Sequence, residues 1–293
     1  MKIVVCVKQV ALFAVRSGVD PVKKRLLSEE VVYAVNPYDE VAVEEALRTR
    51  EKFGGRVTAL TLGPPRAEAV LRWCLAMGVD EAVHIVGDSP PDRGPWAVSA
   101  ALAGFLRERK YDLVLCGKVA MDDEMGQTGP ILAEWLGLPV VTSVVSVELH
   151  PGEGRAILRR TLDRGEREIV ECTLPAVFTV DRPLNRPRYP TLPGRRTAER
   201  HDIRRIDGSG LLNQPPRGEV LPVVDIVRWA PPRIRPKKIL APGDEVSAAG
   251  RMQWVLSGGA GKKAGGRLTG DAGSLADGII RFLAERGLIS RED

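Results

Sequence analysis

The chain has 293 residues, of which 44% are hydrophobic and 28% are charged, and this predicts a globular protein of one large or two modest domains. Its formal net charge of +5 combines a slightly acidic stretch, residues 1–150, with a basic and arginine-rich remainder. No zinc, iron–sulfur or disulfide framework is expected, because the four cysteines form no Cys-x-x-Cys pair and the three histidines lack ligand-like spacing.

The chain begins with a short apolar run over residues 3–7, which Lys8 and Gln9 interrupt. A run this short fits a strand and fits neither a signal peptide nor a membrane span. The reducing cytoplasm is therefore the expected location.

The following residues, up to Gly137, alternate between strand-like and helix-like segments. Pro37 after Asn36 predicts a helix start with the Asn36 side chain as its N-cap, and Gly78 predicts a helix end in the left-handed conformation. Strands are predicted over residues 2–7, 57–62, 82–86 and 113–117, a short apolar piece over 31–35, and helices over 37–53, 67–77, 96–109 and 130–136.

Four strands joined by helical crossovers imply an α/β fold with a doubly wound, mostly parallel sheet, whose ligand site lies beyond the carboxyl ends of the strands. No Gly-x-Gly-x-x-Gly follows the first strand, which disfavours a Rossmann dinucleotide site, and residues 258–263 lack the spacing of a P-loop. The loop after the strand over residues 113–117 carries glycines and leads into a helix, where free N–H groups and the helix dipole favour an anion. Gly126, Gln127, Thr128 and Gly129 form this candidate anion cradle.

The second half of the chain has a different character. Segments 140–149, 155–162 and 167–180, the last split at Pro175, predict strands that add in antiparallel fashion to the parallel core. Residues 182–205 hold eight arginines without a helix-turn-helix or zinc-finger pattern, which predicts a protein-docking loop and disfavours nucleic acid. The predicted organisation is therefore an α/β domain over residues 1–181, a basic partner-recognition loop over 182–205, and an extended arm over 206–293 that contains an amphipathic helix over 274–286 capped by Ser274.

Several motifs follow one another along the chain: Val7-Lys8-Gln9-Val10, Asn36-Pro37-Tyr38-Asp39, Leu75-Ala76-Met77-Gly78, Gly117-Lys118 with Asp122-Asp123 and Gln127-Thr128-Gly129-Pro130, and Leu184-Asn185-x-Pro187-Arg188-Tyr189. Taken together in this order, they resemble the β subunits of electron transfer flavoproteins. The resemblance spans residues 1 to about 200, whereas the tail fits less closely. It implies a heterodimer with an α subunit that holds most of an FAD, with AMP in this chain's own site. It further implies a carrier that is not itself an enzyme, acyl-CoA dehydrogenases as electron donors, a membrane quinone oxidoreductase as acceptor, and an arm that wraps the α subunit.

The resemblance also assigns site residues by position. An aromatic residue at the place of Phe13 lies against the flavin in the family, and a leucine at the place of Leu192, beside Tyr189 and Arg188, docks on partner dehydrogenases. The nucleotide site carried over from the family comprises Cys6, Asn36, Pro37, Tyr38, Asp39, Leu62, Gly117, Lys118, Val119, Ala120, Met121, Asp122, Asp123, Glu124, Met125, Gly126, Gln127 and Thr128.

Simpler interpretations stay open for each motif. Asn36-Pro37 is explained by a helix cap alone, the acids of residues 122–124 by a solvated loop, and residues 182–205 by a linker. If an anion binds nearby, repulsion requires those acids to point away from it or to meet a ribose.

Two further functions also stay open: a flavin-bifurcating relative with a second FAD in place of AMP and NADH as donor, and an adenine-nucleotide sensor without flavin. Asp123 and Thr128, where bifurcating relatives tend to carry Gly and Val, favour AMP. The long tail and Val119, which replaces a usual glutamine, favour bifurcation.

Overall fold

The computed structural model describes residues 1–12, 19–20, 25–26, 32–87, 94–213, 247–256 and 270–285. The chain divides into two compact units, Met1–Pro231 and Pro232–Asp293. Within the described ranges no helix is both long and apolar enough to cross a membrane.

The first unit is built on a nine-stranded sheet with the order β11-β10-β9-β12-β8-β1-β6-β7-β13. Two further sheets have two strands each, β2 with β5 and β3 with β4. The strands are β1 (Lys2–Cys6), β2 (Gln9–Leu12), β3 (Val19–Asp20), β4 (Arg25–Leu26), β5 (Val32–Val35), β6 (Arg56–Gly63), β7 (Glu81–Val86), β8 (Leu113–Gly117), β9 (Val140–His150), β10 (Arg155–Thr161), β11 (Arg167–Thr173), β12 (Ala176–Val180) and β13 (Arg204–Asp207).

Helices cover both faces of the parallel part of this sheet, which confirms the predicted doubly wound α/β fold. Ile3 and Val5 of β1 pack toward α1 and α2, whereas Val4 and Cys6 pack toward α3 and α4. Strands buried on both faces are typical of such sheets, and they explain the continuous apolar runs in the sequence. The helices are α1 (Pro37–Phe53), α2 (Glu68–Met77), α3 (Gly94–Leu106), α4 (Thr128–Leu136), α5 (Leu192–Arg200) and α6 (Ser209–Asn213).

Most local predictions for residues 1–137 are confirmed. Helix α1 has the predicted bounds, and α2 ends at Gly78, whose φ of 114° is left-handed. Helix α3 is shorter than predicted and ends at Leu106.

Strand β12 corrects the predicted antiparallel addition. Strands β9, β10 and β11 are antiparallel as predicted, but β12 pairs in parallel with both β8 and β9. All five of its residues are buried, as expected for a central strand. The prediction was wrong because strand pairing depends on non-local contacts. A split at Pro175 shows that a strand ends there, but it does not show which strand the next segment pairs with.

The basic partner-recognition loop predicted over residues 182–205 is not a loop throughout, because its second part forms α5 and the start of β13. Helix α5 lies close against α2, since a Cβ on Gly194 would come within 2.5 Å of the Ala76 carbonyl oxygen. Arg72 of α2 donates to the carbonyls of Ala198 and His201 at the end of α5. Contacts from a distant helix therefore order a segment whose own composition is almost entirely polar.

The second unit contains α7 (Ala248–Leu256) and α8 (Ala272–Glu285) among its described residues. Asp271 and not Ser274 caps α8, because its Oδ1 accepts the N–H groups of Gly273 and Ser274, both at 3.0 Å. The predicted apolar face is present, with Ile279 and Ile280 about half exposed. Other parts of the predicted arm lie outside the described residues.

A close contact between α4 and β12 gives a test of this packing. A Cβ on Gly129 would lie 2.3 Å from Cγ2 of Thr179. Gly129→Ala should therefore lower the free energy of unfolding by about 1–3 kcal/mol in urea denaturation, because overpacking forces the helix away from the sheet.

The matched rescue is Thr179→Ser, which removes the clashing methyl group and keeps the hydroxyl oxygen that accepts the Ser143 N–H at 3.2 Å. The double variant should regain most of the lost stability. If it is as unstable as Gly129→Ala alone, the described contact between α4 and β12 is incorrect.

Candidate functional site

Asn36 joins two loops at the carboxyl edge of the sheet. It is 1% exposed, and its own N–H donates to the Lys8 carbonyl at 3.0 Å. Its Nδ2 donates to the Val119 carbonyl at 2.8 Å, and its Oδ1 accepts the Met121 N–H at 3.2 Å. The side chain makes no hydrogen bond to the first turn of α1, so the predicted side-chain cap is wrong, and so is the alternative that Asn36 is a cap alone.

Asp39, one turn along α1, makes a second link between the same two loops. Its Oδ2 accepts the Lys8 N–H at 2.7 Å, and its Oδ1 accepts the Gly117 N–H at 3.0 Å. A Cβ on Gly117 would lie 2.3 Å from that Oδ1, so only glycine allows β8 to end this close to the carboxylate. The ends of β1 and β8 are thus fixed to the start of α1.

The buried position of Asp39 changes its proton affinity. Burial raises the pKa of Asp39 from 3.8 to about 7, against the opposing effect of the N–H groups of Lys8 and Gly117. The residue is 5% exposed, so little water reaches the carboxylate. The two N–H donors therefore stabilise an ion that its surroundings otherwise disfavour.

Lys8 offsets part of the negative charge of the loop between β8 and α4. Its Nζ lies 2.7 Å from Oδ1 of Asp122 and 2.7 Å from Oδ2 of Asp123. Lys8 follows β1 by two residues, at the carboxyl edge of the sheet where the sequence predicts the ligand site, but its two ion pairs were not predicted. Because the ammonium group is shared between both carboxylates, the acids are compatible with an anion bound nearby.

Four backbone N–H groups at the start of α4 are available to a ligand. They belong to Gly126, Gln127, Thr128 and Gly129, and none has an acceptor in the described part of the chain. Gly126 has a φ of 64°, which turns the chain into the helix, and Ser99 Oγ donates to the Thr128 carbonyl at 3.0 Å. Unpaired N–H groups at the start of a nine-residue helix fit a phosphate or a similar anion.

The remaining predicted site residues occupy several environments. Cys6 is buried at the end of β1, and Pro37 opens α1. Tyr38 lies against Gly117, since a Cβ on that glycine would come within 2.8 Å of the Tyr38 Cβ. Lys118 pairs with Asp181 at 3.0 Å, an ion pair that the sequence did not suggest.

Leu62 and Phe13 are the next two predicted residues. Leu62 lies near the end of β6, and its side chain packs on the same cluster as Ala97 of α3. Phe13, the predicted flavin contact, lies outside the described residues. The other predicted site residues lie between Gly117 and Thr128 and include Ala120, Glu124 and Met125. They form the loop that Asn36 and Lys8 hold.

The residues with a predicted docking role form a separate surface, the docking segment, which we define as residues 185–200. Tyr189 and Leu192 are 78% and 65% exposed. The Tyr189 ring meets the Trp73 ring edge-on with centroids 5.9 Å apart, and Arg195 lies over Trp73 at 5.4 Å. Arg188 differs from both exposed residues, because acids of α1 hold its guanidinium group.

Comparisons with known proteins agree with the resemblance seen in the motifs. A family model described as the electron transfer flavoprotein domain matches residues 24–209. Proteins named electron transfer flavoprotein subunit beta are similar over much of their length. The chain is 42% identical to that of Thermoanaerobacterium thermosaccharolyticum over 195 residues (66% of this chain, 73% of that protein), 36% to that of Bacillus subtilis over 210 residues (71% and 80%), and 38% to that of Homo sapiens over 208 residues (69% and 80%).

The raised pKa of Asp39 predicts a pH-dependent contribution to stability. Between pH about 4 and about 7 the folded chain binds this proton more tightly than the unfolded chain, so the contribution of Asp39 to the free energy of unfolding falls as the pH rises. The full change is on the order of 4 kcal/mol. Asp39→Asn should remove this slope, measured by urea denaturation at a series of pH values.

Asp112→Asn is the matched control, because that carboxylate also accepts a backbone N–H, from Lys2 at 2.7 Å, but lies exposed at the opposite edge of the sheet. It should keep the slope of the parent chain. A parent and an Asp39→Asn variant with identical pH dependence between pH 4 and 7 would contradict the assignment.

Proposed function

The chain belongs to the electron transfer flavoprotein family as a β subunit, and on this premise we propose that it pairs with an α subunit and binds AMP as a structural nucleotide. The heterodimer would carry electrons from acyl-CoA dehydrogenase-type donors to a membrane quinone oxidoreductase. The FAD, held mainly by the α subunit, supplies the electron-accepting and electron-donating chemistry when bound. This chain holds the nucleotide and presents the docking segment.

The observation that carries the AMP proposal is the set of four N–H groups over residues 126–129 that have no acceptor among the described residues. These groups would hold the phosphate, because the start of α4 offers N–H donors and a favourable helix dipole at one point. Asn36 and Asp39 would keep the surrounding loops in place without contacting the phosphate themselves. The residues present therefore fit the phosphate of a nucleoside monophosphate.

A specific contact favours AMP over a second FAD. Asp123 accepts Lys8 Nζ through Oδ2 and the Met125 N–H through Oδ1 at 3.1 Å. A glycine at this position, as in bifurcating relatives, makes neither contact. The competing proposal, a bifurcating protein with a second FAD and NADH as donor, has the long tail and Val119 in its favour.

The docking segment supports a carrier over a nucleotide sensor. Leu192 opens α5 as an exposed apolar residue, and the Thr191 hydroxyl oxygen caps the helix by accepting the Gly194 N–H at 3.1 Å. An exposed anchor on an ordered backbone loses little conformational entropy on binding. A sensor that acts alone needs no such surface, and the amphipathic α8 offers a further contact for the α subunit.

The first prediction of this proposal is the nucleotide content of the heterodimer. Acid extraction followed by chromatography should release one FAD and one AMP per heterodimer, because the cradle fits a monophosphate. Two FAD molecules without AMP would replace the proposal by the bifurcating alternative.

The second prediction concerns Leu192. Burying a leucine contributes about 1.5–3 kcal/mol, so Leu192→Ala should weaken binding to the donor dehydrogenase by roughly 10- to 100-fold. Flavin content and chemical reduction by dithionite should stay unchanged. The loss should persist at high salt, because it does not depend on charge.

Ile169→Ala is the matched control, since Ile169 is an equally exposed aliphatic residue, 74% exposed, on β11. It should leave dehydrogenase turnover unaltered. Parent-like turnover of the Leu192→Ala heterodimer at every salt concentration would show that the segment is not a docking site.

A further inference from the structure

The docking segment is tied to α1 by one guanidinium group. Arg188 Nε and its backbone N–H donate to Glu44 Oε2 at 2.8 and 3.0 Å, and Nη2 donates to Glu44 Oε1 at 3.1 Å. Nη1 and Nη2 donate to the two oxygens of Glu51 at 2.5 and 3.1 Å. The Arg188 side chain thus bridges two carboxylates that lie two turns apart on α1.

Glu44 is the buried member of this group. Its side chain is 4% exposed, whereas those of Arg188 and Glu51 are 34% and 49% exposed. Burial by itself raises the pKa of a carboxyl, but the hydrogen bonds from Arg188 and Arg48 lower the pKa of Glu44 below its ordinary value. The carboxylate is therefore ionised at neutral pH, and Arg188 is its principal partner.

A third contact holds the same stretch of chain. Asn185 Nδ2 donates to the Val41 carbonyl and to Glu45 Oε2, both at 3.1 Å. The backbone is thus fixed to α1 at residues 185 and 188. Tyr189 and Leu192 follow directly after this fixed stretch, so their placement depends on it.

We propose that Glu44 and Glu51 are positioning residues for partner docking, and that they act through Arg188 by fixing the backbone that presents Tyr189 and Leu192. This inference rests on the proposed docking function. It gives Arg188 an indirect role in docking in place of a direct partner contact, since most of its guanidinium N–H donors are used by Glu44 and Glu51. Arg186, which is exposed, shows the contrast, because among the described residues only its carbonyl oxygen takes part in a hydrogen bond, from Arg48 at 3.5 Å.

The experiment compares five heterodimers with the parent: Glu44→Gln, Glu51→Gln, Arg188→Gln, the Glu44→Gln/Arg188→Gln double variant and the matched control Arg186→Gln, which removes a charge from the same segment. The first readout is amide hydrogen exchange over residues 185–191 without any partner. The second is the KM and kcat of an acyl-CoA dehydrogenase-type donor with the heterodimer as electron acceptor. Glu51→Gln keeps the test valid if Glu44→Gln does not fold, because Glu51 is half exposed.

We expect Glu44→Gln, Glu51→Gln and Arg188→Gln to speed exchange over residues 185–191 and to raise the KM about tenfold or less, with kcat and flavin content unchanged. The Glu44→Gln/Arg188→Gln double variant should be no worse than Arg188→Gln alone, because both changes break one interaction. Arg186→Gln should show parent-like exchange.

Three results would overturn the inference. One is a raised KM in Arg188→Gln with parent values in both glutamate variants, which assigns Arg188 a direct partner contact. Another is faster amide exchange over residues 185–191 in the glutamate and Arg188 variants with an unchanged KM, while Leu192→Ala still impairs docking. If Leu192→Ala has no effect either, the docking function itself fails, and the positioning role fails with it.

Discussion

The structure depends on how the first turn of α1 holds two loops that are far apart in sequence. The Asn36 amide and the Asp39 carboxylate bind backbone groups after β1 and after β8, at Lys8, Gly117, Val119 and Met121. Both side chains are buried, so these hydrogen bonds are protected from competing water, and leaving any of the partners unpaired is costly. The loop that leads to the candidate cradle is therefore shaped by a helix on the other face of the sheet.

The same helix also fixes the docking segment, through Glu44 and Glu51 farther along its length. Helix α1 thus connects the candidate nucleotide site and the candidate docking surface within one rigid element. If the chain holds a nucleotide and meets protein partners as proposed, both tasks rely on acidic and amide side chains at the start of α1 and along it. Asn36 and Asp39 hold the loops of the candidate nucleotide site, whereas Glu44 and Glu51 hold the docking segment. These roles are distinct although the residues are close in sequence.

Local signals in the sequence predicted much of the fold. The apolar runs and the glycine after α2 located the strands and helix ends of the first half, because they reflect burial and backbone geometry near each residue. The parallel pairing of β12 and the order of α5 could not be predicted this way, since they depend on β8, on Arg72 and on other distant residues. The cradle over residues 126–129 was predictable from its glycines and its helix. The role of Asn36 was not, because a capping asparagine and a loop-binding asparagine occupy the same sequence position before Pro37.

The most direct test of whether α1 builds the nucleotide site is isothermal titration of AMP into nucleotide-depleted heterodimers. The Asn36→Ala variant is compared with the parent. The substitution removes two hydrogen bonds to the loop and no side-chain cap of the helix. At about 1 kcal/mol each, their loss should weaken AMP binding by about tenfold or more, with the helix content by circular dichroism unchanged. An Asn36→Ala heterodimer that binds AMP as tightly as the parent would contradict the account.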